Sequence, residues 1–109
     1  MENTYALDFL LVEGEEGWHA RCLEYDFVTQ ADTLKDLYYE IERTVVGHLG
    51  ISSQLKRPPF EGLAPADQKY WKMFEKAELI LRPRTPQIGA IAPDVPPHEL
   101  RELRVAVLT

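Results

Sequence analysis

Cysteine is nearly absent: Cys22 stands alone in 109 residues. One thiol cannot form an intramolecular disulfide framework. With only three scattered histidines beside it, a closed structural zinc site is not expected either. Long apolar runs are missing as well. The longest, "FLLV" at residues 9–12, falls far short of the roughly 20 residues that cross a bilayer. The start, "MENTYALDF", has no basic stretch leading into a long apolar core, so no secretory signal is read and the expected location is cytoplasmic. Positive charge is scarce where it matters most. Residues 1–50 hold 3 basic against 11 acidic residues, net −8, while residues 51–109 hold 9 against 7, net +2. An acidic half repels phosphate, which argues against direct nucleic-acid binding and for a basic protein partner. Solubility alone is the plainer explanation of the same charge.

What is present describes an ordinary globular chain, 45% hydrophobic and 28% charged, of single-domain size. In residues 4–12, Tyr5, Leu7, Phe9 and Leu11 alternate, as a strand requires. The acidic "EGEEG" at 13–17 reads as a hairpin turn. Residues 18–23 alternate again, with Trp18, Ala20 and Cys22 on one face, and "FVTQA" at 27–31 reads as a short third strand. Asp32 or Thr33 then caps a helix over 33–49. Its apolar stripe runs through Leu34, Leu37, Tyr38, Ile41, Val45, His48 and Leu49, and Gly50 supplies the C-terminal stop. A proline-rich connector leads to a second helix from about Pro65 to Ala77. Strands follow at 78–82 and 100–109, with irregular chain between them. The fold class is therefore α+β. An antiparallel three-stranded meander and an amphipathic helix (1–50) are followed by a second helix and further strands on the same sheet (51–109), in one domain with both helices on one face.

Individual residues mostly have structural explanations. Asp8 lies opposite Leu7 and Phe9 in the alternation, so it is expected in solvent. Asp8, Glu24, Asp26 and Asp32 are the carboxylates from which a metal-dependent nuclease site could be drawn, but solvation and capping account for each. His19 reads as a surface strand residue, and His48 as a cation near a helix C-terminus. Cys22 reads as a small buried hydrophobe. In "KYWKMF", aromatics and lysines interleave in a way that can stack and bind single strands. The helical spacing of Tyr70, Trp71 and Phe74 makes a core or partner face the better reading.

The segment "EGEEGWHARCLEYD" followed by "FVTQADTLKDLYYEI" resembles the HicB family of toxin–antitoxin proteins. Trp18 and Ala20 fall in register on the second strand. Thr29, Asp32, Thr33 and Leu34 match the motif that runs into the family's helix. Ala31 stands where the family usually has glycine, and Lys35-Asp36 shifts its acidic position. The resemblance covers about the first half of the chain. It implies a partial ribonuclease-H-like core without a full catalytic set, acting as an antitoxin that masks a small basic ribonuclease. The second half matches neither of the family's DNA-binding tails, so operator binding is not expected. On this reading the contacts come from Glu13, Glu15, Glu16, Glu24 and Asp26, with Tyr70, Trp71 and Phe74 as an aromatic partner face. Self-association through a sheet edge or the Trp71 helix is also expected, with no cofactor and no metal. A stand-alone regulatory domain is the alternative, and a nuclease is disfavoured.

Overall fold

The computed structural model describes residues 5–81 and 98–106. Five strands form one mixed sheet: β1 (Tyr5–Gly14), β2 (Gly17–Cys22), β3 (Val28–Ala31), β4 (Leu79–Leu81) and β5 (His98–Ala106), in the order β3-β2-β1-β5-β4. The expected meander is present, since β1 pairs antiparallel with β2 and β2 with β3. The second half then departs from a meander. β5 inserts beside β1 as its parallel neighbour, and β4 lies outside it, antiparallel to β5. Residues 82–97 and 107–109 lie outside the described residues, and with them most of the segment read as irregular at 83–99, whose last two residues belong to β5.

Two helices connect the halves, α1 (Leu34–Gln54) and α2 (Gln68–Lys76). Thr33 caps α1, its Oγ1 accepting the Asp36 N–H at 3.1 Å. The predicted stripe packs as read: Leu37, Ile41, Val45 and Leu49 are fully buried against Leu7, Phe9, Leu11, Ala20, Cys22, Leu103 and Val105. The expected stop at Gly50 is wrong. The helix continues to Gln54, and Lys56 (φ 55°) takes the left-handed position usually held by glycine. The Arg57 N–H then donates to Ser52 O at 2.9 Å and Lys56 N–H to Ser53 O at 3.2 Å, the paired bonds of a Schellman ending. The extra turn covers no core, and Ile51 is 60% exposed.

The expectation that both helices share one face is also corrected. β1 alternates Leu7, Phe9 and Leu11 toward α1 with Leu10 toward the other face, where Leu10, Leu23, Ala66, Phe74 and Ala106 form a second cluster. α2, capped by Asp67 accepting the Lys69 N–H at 2.9 Å, closes that cluster. The sheet is thus covered by α1 on one side and α2 on the other.

The connector is not merely a spacer. Phe60, buried despite φ 60°, stacks on Tyr25 with centroids 4.2 Å apart and lies 5.9 Å from Phe27 and 5.5 Å from His48. His48 therefore serves an aromatic cluster, more than a turn before the helix end, and does not sit at the helix terminus.

The β1–β2 turn depends on Gly17. Its φ is +121°, and a Cβ there would fall 2.6 Å from Ala31 O. Gly17→Ala is expected to destabilise the fold by about 1–3 kcal/mol, read as a lower urea midpoint with an unchanged denaturant slope. A midpoint equal to wild type would show that the turn relaxes without cost.

Candidate interaction surface

The five acids named from sequence do not form one surface. Glu13, Glu15 and Glu16 sit exposed at the β1–β2 hairpin. Glu24 and Asp26 lie in the β2–β3 turn, at the far end of β2, about 17 Å away at ~3.3 Å per residue. Neither of the latter is a free acid. Asp26 pairs with Arg21. Glu24 is drawn into a part-buried cluster with Asp8 and Arg101.

That cluster overturns the expectation of a solvent-facing Asp8, which is only 4% exposed. A register shift creates it. Leu7 pairs with Leu100, but Asp8 pairs with Glu102, so Arg101 is an extra, bulged residue on β5. The bulge aims the Arg101 guanidinium at Asp8. Arg101 Nε donates to both Asp8 oxygens at 3.1 Å, and Nη2 bonds Asp8 Oδ2 and reaches Glu24 Oε2 at 3.4 Å. Glu24 Oε1 accepts the Asp8 backbone N–H at 2.8 Å. Burial opposes charge on both acids. At Asp8, the Arg101 hydrogen bonds and charge together with the Glu24 hydrogen bond outweigh burial and hold the carboxyl below its ordinary value. At Glu24, burial and then the neighbouring Asp8 raise the carboxyl to about 7. Burial pushes the nearby Cys22 thiol up to about 12, so it stays a thiol and belongs to the core, as read.

Of the four nuclease candidates, Asp8 and Glu24 come together, held by an arginine. Asp26 is paired elsewhere, and Asp32 follows the far end of β3. Among the described residues no group of three or more His, Cys, Asp or Glu is placed to hold a metal ion.

The aromatic face of α2 is largely spent on packing. Phe74 is buried in the second cluster, with Tyr70 and Trp71 half-buried against it. Arg21 lies 4.0 Å over the Tyr70 ring, and Arg104 lies 4.5 Å over Phe74. α2 leaves part of β2 and β3 uncovered, giving a small apolar groove of about 190 Å³ lined by residues including His19, Val28, Tyr70 and Met73.

The larger feature is one the sequence reading missed. The hairpin carboxylate Glu16 converges with Asp32, Asp36 and Glu40 from the start of α1 around a cleft of about 350 Å³. Gln30, Ala31 and Tyr39 complete its lining, and among the described residues no lysine or arginine lines it. Arg43 is a distant partner to one rim acid, 4.0 Å from Glu40. The signal was available: Asp32, Asp36 and Glu40 recur at helical spacing, and a hairpin returning beside β3 brings Glu16 to them.

No family model matches the chain, and no curated protein or solved structure matches it. Among the described residues no helix is long and apolar enough to cross a membrane.

The Glu24 environment has a pH consequence. A carboxyl raised in the folded state favours folding while protonated, and that contribution is lost as pH rises from its unfolded value, 4.5, to about 7. Asp8, lowered, acts oppositely and lowers stability only under acid conditions. Glu24→Gln is therefore expected to gain stability relative to wild type progressively across pH 4.5–7, seen as diverging urea midpoints. Parallel midpoints across that window would show that Glu24 is ionised like a surface acid.

Proposed function

We propose that the chain is a protein-binding domain that takes a small basic protein on its acidic end, in the manner of a HicB-like antitoxin masking a basic ribonuclease. The cleft carries this reading: four carboxylates converge at one end of the sheet, with no cation among its described lining residues. Such an array speeds encounter with a basic surface and selects against acidic ones. Glu13 and Glu15 extend the same end of the molecule, whereas Glu24 and Asp26 serve internal pairs. Binding through this end is an assembly role and needs no catalytic group in the chain itself.

A second reading, self-association, is favoured by the β4 edge, where Leu79 and Ile80 are about half exposed. In that reading the domain is an oligomeric regulatory unit without a toxin.

The test is affinity capture by the tagged chain from its source cells, eluted by a salt gradient. A Glu13→Lys/Glu16→Lys/Glu40→Lys variant serves as the control. The expected result is a small basic protein released as salt rises, absent with the charge-reversed variant, whose RNA cleavage is suppressed when the chain is added back. A captured protein that holds equally to the charge-reversed variant would overturn the acidic-end reading. A basic protein without RNA cleavage would retain the binding role and remove the antitoxin one. If the chain instead sediments as a dimer that Ile80→Lys dissociates, the β4 reading is supported.

A further inference from the structure

We propose that the β3 edge accepts an extended basic segment as an added strand, its alternate lysine or arginine side chains entering the carboxylate cleft. The proposal rests on the function given above and specifies how the partner is held.

The backbone is the first support. β3 is the last of the described strands on its side of the sheet and has β2 as its neighbour. The Cys22 N–H donates to Phe27 O, so Cys22 turns its backbone groups toward β3. Ala20 and Trp18, two and four residues back, turn the same way, and their partners are Thr29 and Ala31. In an antiparallel ladder the intervening residues direct their N–H and C=O outward. Among the described residues nothing pairs with Val28 and Gln30 on that side, so they present a row of donors and acceptors at the edge, the arrangement that strand-adding partners use.

The flank of that edge defines the partner. α1 packs over β2 and β3, so its first turns stand beside the position that a sixth strand would take. There the cleft holds Glu16, Asp32, Asp36 and Glu40, with Tyr39 57% exposed among them. Side chains of an added strand point alternately to the two faces. Those on the α1 side enter the cleft, where a long cationic side chain reaches the carboxylates and lays its methylenes or charge on the Tyr39 ring. A second copy of this chain fits poorly. Pairing β3 with β3 would bring two such acidic clusters together, and like charges at close range oppose it. A basic segment is the complementary occupant.

The probe is a fluorescein-labelled peptide of alternating threonine and lysine, titrated with the full chain and followed by anisotropy. Two further peptides carry backbone N-methyl groups, one on every lysine and the other on every threonine. In strand addition only one of these sets faces β3. One methylated peptide is expected to bind about tenfold more weakly while the other keeps its affinity. Gln30→Pro, which removes an outward donor and leaves the β2 ladder intact, is expected to weaken binding by a similar factor. Glu16→Gln/Glu40→Gln is expected to weaken it and flatten its salt dependence. Equal binding of the two methylated peptides, together with loss in the charge variant, overturns strand addition and leaves the acidic-end reading standing. Absence of binding, or binding indifferent to the charge variant, overturns both. Sedimentation of the chain alone as a dimer that Gln30→Pro dissociates would assign the edge to self-pairing and overturn the proposal.

Discussion

The structure depends on a central strand buried on both faces. β1 carries Leu7, Phe9 and Leu11 to one side and Leu10 to the other, each almost fully buried. A strand of this kind cannot sit at an edge, nor leave either face to water. Neighbours on both sides and a helix on each face follow from that requirement. The antiparallel hairpin satisfies one side. The other is satisfied only when the chain has passed through both helices and returned, which makes β5 parallel to β1. The two layers divide the remaining work. α1 closes the larger cluster over β2 and β3, and α2 closes the smaller one over β1 and β5.

Placing Asp8 on this doubly buried strand creates an electrostatic problem, which the fold resolves by a bulge. Burying a carboxylate without a partner is costly. The extra residue at Arg101 turns a guanidinium onto Asp8, and Glu24 accepts the adjacent backbone N–H. Asp8 keeps its charge, and Glu24 holds its proton toward neutrality. Negative charge is thereby neutralised at the β2–β3 turn, while among the described residues acids outnumber Lys35 and Arg43 at the opposite end, around the α1 N-terminus. There the helix dipole favours Asp36, and solvent carries the rest. The polarity of the molecule comes from this difference between its two ends, more than from its total charge.

Much of the local structure was legible in residue order. The alternation of Trp18, Ala20 and Cys22, the Thr33 cap and the α1 stripe each depend on contacts within a few residues. The run "FLLV" was also a signal: without alternation, it marks a strand buried on both faces. Strict alternation instead suggests a strand buried more on one side than the other, which puts Asp8 in solvent and both helices on one face. The helix end at Gln54 was hidden because Lys56 adopts a backbone conformation that composition assigns to glycine. Of the site, Glu13, Glu15 and Glu16 were placed at the exposed end, but Glu24 and Asp26 were grouped with them. Their partners, Arg101 and Arg21, were invisible as partners in the linear pattern.

Sequence by itself determined the α+β class, the hairpin, the third strand, the amphipathic face of α1 and the acidity of the first half, because periodicity, capping and composition are local properties. Tertiary structure alone decided that β5 lies parallel to β1 and that the helices take opposite faces. It also decided that Arg101 neutralises Asp8, and that Glu16 meets Asp32, Asp36 and Glu40 around one cleft. Each of these joins residues far apart in the chain. The burial of β1 on both faces brings them together, and that constraint acts only once the whole sheet is assembled.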